Sequence, residues 1–205
     1  MPEPLQAVRL QVTQIAQAAE ALTGAFMTDP VYAALLPDPA ARERSMRGMW
    51  RALIAYCRTY GAVYTTPAAQ GAACWFAPGR PQVTLWGTLR TGFALPRALM
   101  QFPPDARRGF FAIDGMLSRE HKRLMPRPHW YLAALGVAPA CQGQGIGGAL
   151  IAPVLAEADA AGLPCYLETM TEPNVAFYER RGFAVVGKGV LQGIPYWAMV
   201  RQPRG

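Results

Sequence analysis

The sequence predicts a single α/β domain, and three observations support that fold class. Its 205 residues fit one domain, because most domains span about 50–250 residues. A hydrophobic fraction of 52% against 16% charged residues is typical of a packed core rather than of a disordered chain. From His129 onward, apolar runs of strand length alternate with helical patterns, which is the order of elements in an α/β fold.

The amino-terminal part of the chain predicts one short strand, two helices and a hairpin. Val8–Val12 alternates apolar and polar residues as a short strand does. The elements predicted after it are a helix over Thr13–Met27 that stops at Asp29-Pro30, a helix over Pro39–Thr59 with Asp38 as N-cap, and a hairpin of strands over Gly61–Thr65 and Gly71–Phe76.

The middle of the chain carries a helical periodicity that prolines interrupt. Between Gln82 and Met125 the pattern breaks at Pro96 and again at Pro103-Pro104, so we predict a helix, a break and a second helix. Lys122–Pro128 is basic and holds two prolines, which is typical of a linker.

The carboxyl-terminal part gives the clearest pattern. Trp130–Val137 is a nearly continuous apolar run, as expected of a strand covered on both faces. The elements predicted after it are a helix over Gly145–Ala161 with Gly162 as its C-cap, a buried strand over Cys165–Thr169, a short helix from Pro173-Asn174 to Arg181-Gly182, and strands near Phe183–Val186 and Tyr196–Val200. In such a domain ligands bind at the carboxyl ends of the strands.

Charge and composition argue against several classes of function. The net charge is +7, but the 20 basic residues are scattered without a run, which favours a solvated basic surface over a nucleic-acid interface. A positive field would also attract an anionic cofactor. Four separated cysteines and two histidines predict neither a disulfide framework nor a metal site. The sequence shows no signal peptide and no membrane span, so we expect a cytoplasmic protein without a membrane partner.

A glycine-rich loop, Gln142–Gly148, follows the strand that ends at Val137. Glycines let backbone N–H groups approach a ligand, and the positive end of a helix dipole begins here, so pyrophosphate suits this loop. A tight strand-to-helix turn is the structural alternative. The loop also matches G-x-G-x-x-G, with Glu168 at the distance of a ribose-binding acid. Against a nicotinamide or flavin site, Ala138–Gln142 separate the strand from the glycines, and 57 residues after Gly148 are too few for the remaining sheet.

Two motifs together resemble the GNAT superfamily of N-acetyltransferases. Gln142–Gly147 has the pattern Gln/Arg-x-x-Gly-x-Gly/Ala, and Asn174–Phe183 is similar to the second signature of that superfamily. About the last 75 residues are similar to puromycin N-acetyltransferases, through stretches such as His129–Ala133, Leu167–Thr169 and Phe177–Phe183.

The resemblance implies the GNAT fold, a mixed and mostly antiparallel sheet flanked by helices, whose splayed central strands hold acetyl-coenzyme A. It implies one domain over residues 1–205. Residues 1–128 would form the acceptor-side half, with a helical insertion over about 82–125, and residues 129–205 would bind the cofactor.

The resemblance also assigns residues to the acyl donor, acetyl-coenzyme A, with no metal. Asn174 would form a hydrogen bond with it, and Tyr178 would also contact it. The end of the strand would pair with the pantetheine arm through Leu135, Gly136 and Val137. The loop would hold the pyrophosphate through Gln142, Gly143, Gln144, Gly145, Ile146, Gly147 and Gly148.

Tyr178 and Glu168 are the candidate catalytic residues. Amine attack on a thioester forms an oxyanion and expels a thiolate, and a protonated phenol such as Tyr178 can supply a proton to the sulfur. Glu168 ends a buried strand and is the candidate general base; a water relay is an alternative. Either side chain could instead be structural, Tyr178 by packing its helix and Glu168 as a satisfied buried carboxylate.

Four aromatic residues are candidates for the acceptor pocket: Phe26, Tyr32, Trp75 and Tyr131. They would suit an apolar or aromatic amine, although some could belong to the core. The sequence thus predicts acetyl transfer to a primary amine of a small molecule by direct attack in a ternary complex, in a monomer or a homodimer. Acetylation of a protein or peptide and non-catalytic sensing of acyl-coenzyme A are the alternatives.

Overall fold

A sheet runs through the molecule, and helices cover both of its faces. The structure is a computed structural model that describes residues 6–79 and 83–204. In those ranges the strands are β1 (Val8–Arg9), β2 (Gly61–Thr65), β3 (Gly71–Phe76), β4 (Trp130–Val137), β5 (Cys165–Thr169), β6 (Ala184–Leu191) and β7 (Ile194–Arg201). The helices are α1 (Ile15–Phe26), α2 (Pro30–Leu35), α3 (Pro39–Tyr60), α4 (Leu85–Arg90), α5 (Ala94–Leu99), α6 (Pro104–Leu124), α7 (Ile146–Ala160) and α8 (Glu172–Glu179).

The strand order is β1-β2-β3-β4-β5-β7-β6, and the described pairs are antiparallel except β4 with β5. This confirms the predicted α/β class with a mixed, mostly antiparallel sheet. The bounds of β2, β3, β4 and β5 are those that the sequence predicts. Their boundaries were readable because glycine or proline flanks each apolar run.

Three buried clusters divide the core between the two faces of the sheet. One face packs α1 and α3 over β3 and the neighbouring strands, through residues such as Leu22 and Trp50. On the same face, α6 covers β5, β6 and β7 around Tyr166. The opposite face packs α7 and α8 around Leu150 and Tyr178. The central strand β4 is therefore covered on both faces, as its apolar run predicts.

The amino-terminal expectations need two corrections. The first strand ends at Arg9, because Gln11 and Gln14 cap each other and start a 3₁₀ turn over Val12–Gln14 that leads into α1. The predicted helix does end before Asp29-Pro30, since α1 stops at Phe26, but this dipeptide also begins a second helix. The Asp29 carboxylate accepts from the N–H groups of Val31 at 3.0 Å and Tyr32 at 3.4 Å, and so caps α2, which the sequence analysis missed.

The middle segment forms three helices instead of two. Pro96 lies in the first turn of α5, where proline is tolerated, and the break comes earlier, at Gly92 and Phe93, both with positive φ. Pro103-Pro104 starts α6 as a helix N-terminus. The predicted linker is shorter than expected, since α6 extends to Leu124. Gln82, where the periodicity begins, lies outside the described residues.

The final strands are longer than predicted and form a hairpin. β6 and β7 extend to Leu191 and Ile194, joined by Gln192 at φ 49° and Gly193 at φ 82°. Two positive φ values are what a tight hairpin turn requires. The C-cap prediction is confirmed: Gly162 has φ 64°, and the Leu163 N–H donates to the Ala158 carbonyl at 2.9 Å, as in a Schellman motif.

Both histidines lie in the core, away from the candidate loop. The His129 Nδ1–H donates to the Arg127 carbonyl at 2.6 Å, so its Nε2 accepts from Nε2–H of His121, also at 2.6 Å. Burial lowers the pKa of both, that of His121 to about 4. The pair joins α6 to the start of β4 beside an open hollow of about 410 Å³, at the opposite end of β4 from the loop.

Candidate active site

The sheet opens between its two central strands. β4 pairs with β5 through Trp130–Leu132 and Cys165–Leu167, and no pairing continues beyond them in the described residues. Both strands go on past this point, β4 to Val137 and β5 to Thr169. On its other edge β4 stays bonded to β3 as far as Val137. The strand end Leu135–Val137 therefore has one backbone edge free to pair with an extended ligand.

A β-bulge in β4 accompanies this splay. Cys74 pairs with Ala134 and its neighbour Trp75 pairs with Leu132, so Ala133 has no partner in β3. A bulge bends a strand and increases its local twist, and this one lies where the pairing of β4 with β5 ends.

The glycine loop presents backbone donors to the mouth of the splay. Gly143 has φ 76° and Gly145 has φ 82°, values that disfavour other residues. Gly145 is the N-cap of α7, and no side chain caps this helix. In the described residues, the N–H groups of residues 143–147 have no acceptor. The Gln142 amide donates to the Val137 carbonyl at 3.1 Å and so holds the loop against the strand end. An uncapped helix start with free N–H groups suits an anion.

The last two glycines of the loop have a packing role as well. A Cβ at Gly148 would lie 2.5 Å from Nη2 of Arg181, and one at Gly147 would lie 3.4 Å from the Phe177 ring. Arg181 lies over that ring at 3.6 Å and donates to the Phe177 carbonyl at 2.6 Å. A side chain at position 148 would therefore displace the Arg181 guanidinium from its place over the Phe177 ring, a consequence that the sequence analysis did not consider.

Asn174 and Tyr178 lie on α8, on the same side of the splay as the loop. The Asn174 amide donates to Oγ1 of Thr169 at 3.2 Å, which places it at the end of β5. Tyr178 is 7% exposed and packs against Phe177 and Phe183. Burial raises the pKa of its phenol well above the ordinary value. A phenol with a raised pKa keeps its proton at neutral pH and can act as a donor. We call this group of residues, Gln142–Gly148 with Asn174 and Tyr178, the loop side.

Glu168 lies on the face of the sheet opposite to Asn174 and Tyr178, because side chains alternate along β5 and its neighbour Thr169 contacts Asn174. Burial raises the pKa of its carboxyl to about 7, while the nearby phenols of Tyr131 and Tyr166 lower it by less. Oε1 of Glu168 and the Tyr166 hydroxyl are buried, and neither meets the geometry of a hydrogen bond to another described residue. A buried carboxyl whose pKa is raised to about 7 can accept a proton from an incoming group near neutral pH.

Two more of the predicted acceptor residues pack on the same face of the sheet as this carboxyl. Phe26 and Tyr32 pack edge to face at 6.0 Å, and each also contacts Trp50, at 4.8 and 5.7 Å. Tyr131 belongs to the same face. Asp114 of α6 acts electrostatically on Tyr32, Tyr131 and Glu168, raising the pKa of each. We call Phe26, Tyr32, Tyr131, Asp114 and Glu168 the aromatic side.

Trp75 is not part of the aromatic side, which corrects the sequence expectation. Its side chain is fully buried on the other face of the sheet, where it packs edge to face on Trp130 at 6.5 Å. Alternation along β3 explains the error, since Trp75 shares a face with its partner Leu132, while Phe76 stacks on Tyr131. Tyr131 itself is brought together with Phe26, Tyr32 and Glu168.

Sequence analysis missed Asp114, Trp50 and Tyr166. Asp114 could have been noticed, because it falls among apolar residues that recur at helical spacing, between Phe110 and Leu117. Trp50 and Tyr166 gave no signal beyond that of core residues. Among the described residues, no cluster of histidine, cysteine, aspartate or glutamate side chains could hold a metal ion. In the same ranges, the helices are too short or too polar to cross a membrane.

Comparison with known proteins agrees with this geometry. Residues 109–183, which contain the splay, the loop, β5 and α8, match the model of the Acetyltransferase (GNAT) family. An uncharacterized N-acetyltransferase of Schizosaccharomyces pombe is 27% identical over 209 residues, covering 97% of this chain and 84% of that relative. The chain is an acetyltransferase with the GNAT fold.

Solved structures resemble this acetyltransferase over nearly its whole length. A histone acetyltransferase HPA2 and related acetyltransferase from Corynebacterium glutamicum aligns with a TM-score of 0.69 at 19% identity, over 98% of this chain and 97% of that one. Arylalkylamine N-acetyltransferase 2 from Aedes aegypti aligns with a TM-score of 0.62 at 11% identity, over 98% and 100%. At these identities the two neighbours support the fold of this acetyltransferase.

Proposed function

We propose that this acetyltransferase transfers an acetyl group from acetyl-coenzyme A to a primary amine of a small molecule. The observation that carries the proposal is the position of two titratable groups on opposite faces of the sheet, at the opening between β4 and β5. Tyr178 holds its proton on the loop side, and Glu168 has a carboxyl whose pKa is raised to about 7 on the aromatic side. Acetyl-coenzyme A bound between β4 and β5 would then have an acid, Tyr178, on one side and a base, Glu168, on the other.

The loop side fits the donor. Acetyl-coenzyme A supplies the acetyl thioester, together with an anionic pyrophosphate and an amide-bearing arm. The free N–H groups of residues 143–147 and the uncapped start of α7 suit the pyrophosphate. The free edge of Leu135–Val137 suits the arm, and one of its N–H groups would stabilise the oxyanion. Asn174, at the end of β5, would add a side-chain donor.

Proton transfer then divides between the two faces. The Glu168 carboxylate accepts a proton from the ammonium form of the amine, whose nitrogen bonds to the acetyl carbon as the carbon–sulfur bond breaks. Tyr178 donates a proton to the sulfur. The nitrogen also loses its second proton to solvent as the amide forms. Glu168 then releases its proton to solvent and Tyr178 regains one, so each acetyl transferred to an ammonium releases one proton overall.

Direct transfer to the amine is favoured over an acetylated enzyme. Of the four cysteines, Cys57, Cys74 and Cys165 are buried. Burial raises the pKa of the Cys57 and Cys165 thiols, which makes them poor nucleophiles. Cys141 interacts with the Gln70 amide through its sulfur at 3.6 Å. A ternary complex of enzyme, donor and amine needs none of them.

The test is thiol release from acetyl-coenzyme A with a panel of acceptors, beside calorimetric binding of acetyl-coenzyme A alone. The panel holds alkylamines, diamines, arylalkylamines, puromycin and peptides with free amines. Puromycin is included because of the motif resemblance of the last 75 residues. Turnover with small amines supports the proposal. Turnover with peptides alone would contradict its substrate class, and no binding of acetyl-coenzyme A would contradict it altogether.

A further inference from the structure

The short helices α4 and α5 pack on α3 and turn one face outward. Gly87 sets the inner face of α4 against Tyr56, because a side chain at Gly87 would overlap the Tyr56 ring. The Tyr56 hydroxyl also accepts a hydrogen bond from the Thr84 N–H at 3.0 Å. The face of α4 that carries Trp86 and Leu89 therefore points away from the core.

Three large apolar side chains are exposed on this outward face and at the turn that follows it. Trp86 is 75% exposed, Leu89 49% and Phe93 40%. Trp86 and Leu89 lie three residues apart on one face of α4, and Phe93 follows at the start of α5. A tryptophan ring is usually buried over most of its area, as Trp75 and Trp130 are here. Neighbouring exposed apolar side chains of this size mark a site of contact with a partner.

Arginines border these apolar side chains. Arg90 is exposed and follows Trp86 by four residues, on the same face of α4. Arg97 follows Phe93 by one turn and donates to a backbone carbonyl of the preceding turn at 3.2 Å. In the described ranges, neither arginine belongs to an ion pair. Residues 44–104 include seven arginines and no aspartate or glutamate, so this segment has no acidic side chain to offset the charge. We call Trp86, Leu89, Arg90, Phe93 and Arg97 the outer patch.

Apolar rings bordered by unpaired arginines complement an anionic lipid surface. Tryptophan and phenylalanine rings favour the boundary between headgroups and acyl chains, and arginines at the same level attract anionic lipids. We propose that the outer patch binds this acetyltransferase to the surface of membranes that contain anionic lipids. We expected no membrane partner because the sequence lacks a spanning segment, but binding at a membrane surface needs none.

Two other occupants fit the outer patch less well. In a two-fold dimer the patch would meet itself, and Arg90 and Arg97 of both copies would face like charges without an acidic partner. Single-stranded nucleic acid would stack its bases on the rings of Trp86 and Phe93, but the aliphatic Leu89 beside them offers no stacking surface. An anionic lipid surface uses all five residues.

The experiment mixes the full chain with vesicles of phosphatidylcholine, either pure or mixed with anionic phosphatidylglycerol, and measures binding by co-sedimentation. We expect binding to the anionic vesicles that weakens with added salt, and binding at least about 10-fold weaker to the pure phosphatidylcholine vesicles. Tryptophan emission should shift to shorter wavelength on binding, because Trp86 moves from water into lipid. Trp86→Phe should still bind and should lose most of that shift. Binding of single-stranded RNA and the oligomeric state are measured beside it.

Matched variants on two elements distinguish the outer patch from the overall charge. Arg90→Gln should weaken binding to anionic vesicles by about 5-fold, and Leu89→Ser by about 10-fold through lost apolar burial. Lys188→Gln and Val190→Ser change an exposed cation and an exposed apolar residue of β6, and both should bind as wild type does. All four positions are exposed, so the substitutions should change stability little.

Several results would overturn the proposal. They are no binding to anionic vesicles, equal binding to both kinds of vesicle, an unchanged tryptophan emission, or equal losses in the β6 variants. Binding of RNA or dimerisation through the outer patch in the absence of vesicle binding would assign the patch to those occupants instead. Membrane binding does not depend on which amine is acetylated, so a failure of the proposed function would leave it standing.

Discussion

The two sides of the splay are built in different ways. The loop side comes almost entirely from one stretch of chain, β4 through α8, and it offers backbone N–H groups. The aromatic side is assembled from side chains of α1, α2, α6, β4 and β5. Backbone geometry follows from local glycines, whereas the aromatic side depends on tertiary packing. A common donor can therefore be bound by a local motif while the acceptor pocket varies with distant elements.

Removing the proposed base, Glu168, should give the largest effect and would test the aromatic side directly. Glu168→Gln keeps the shape but cannot accept a proton. We expect kcat/KM to fall by about 10²- to 10⁴-fold. In wild type, activity should rise with pH through an apparent pKa of about 7, the value that burial gives the carboxyl. Steady-state rates measured across pH should show this rise, which we call the activity limb, in the wild type, and the variant should lack it. An unchanged profile would assign the base to another group or to water.

Removing the proposed acid, Tyr178, should give the next largest effect, on the loop side. Tyr178→Phe keeps the packing against Phe183 and loses the hydroxyl. We expect kcat to fall by about 10²-fold with little change in the Kd of acetyl-coenzyme A. The control for loss of a phenolic hydroxyl is Tyr60→Phe. Tyr60 packs on Tyr56 in the core, away from the loop side. Full kcat in Tyr178→Phe at every pH would show that the phenol only packs.

Glu168→Gln should also change stability, with a defined dependence on pH. The carboxyl has a pKa of about 7 in the folded chain and 4.5 ordinarily. Between these values the folded state binds more protons, so wild-type stability falls as pH rises. The variant avoids this loss and should be more stable by up to about 3 kcal/mol above pH 7. Urea unfolding at pH 8 and below pH 4.5 measures it. An equal difference at both pH values would contradict the burial of an ionisable carboxyl.

Alanine substitutions at two glycines with similar backbone geometry can distinguish an effect on acetyl-coenzyme A binding from an effect on stability. Gly143 and Gly162 have φ of 76° and 64°, and an added Cβ would meet nothing within 4 Å at either. Alanine at either position should cost about 1 kcal/mol of stability, because L-residues disfavour this region. Gly143→Ala alone should weaken acetyl-coenzyme A binding, by about 10-fold, through distortion of the loop. Calorimetry gives the Kd of acetyl-coenzyme A for the Gly143→Ala and Gly162→Ala variants. Equal Kd values would show that the loop does not bind acetyl-coenzyme A.

The smallest predicted effect concerns the influence of Asp114 on the base. Its charge helps to raise the pKa of Glu168, so Asp114→Asn should lower the apparent pKa of the activity limb, by less than about one unit. Asp105→Asn, at an exposed residue of the same helix that pairs with Arg108, should leave the limb in place. The pH profile of kcat/KM for an alkylamine measures both. A limb that moves to higher pH in Asp114→Asn would contradict the proposed proximity of the two carboxylates.

Much of the loop side could be predicted from the sequence, because its signals are local. The bounds of β4 and β5 and the C-cap at Gly162 were all correct. Less of the aromatic side was predictable. Alternation along β3 places Trp75 and Phe76 on opposite faces, but the sequence does not show which of the two faces the aromatic side. The short helix α2, which carries Tyr32, was missed because a proline that can end a helix can also begin one.

The fate of the acetyl group tests the central claim most directly. The measurement is steady-state turnover with labelled acetyl-coenzyme A and the best amine of the panel, with mass spectrometry of the product. We predict one N-acetylated amine per thiol released and initial-rate patterns of a ternary complex. Thiol release without acetylated amine, or parallel lines that indicate an acetylated enzyme, would contradict transfer between an acid and a base on opposite faces of one splay.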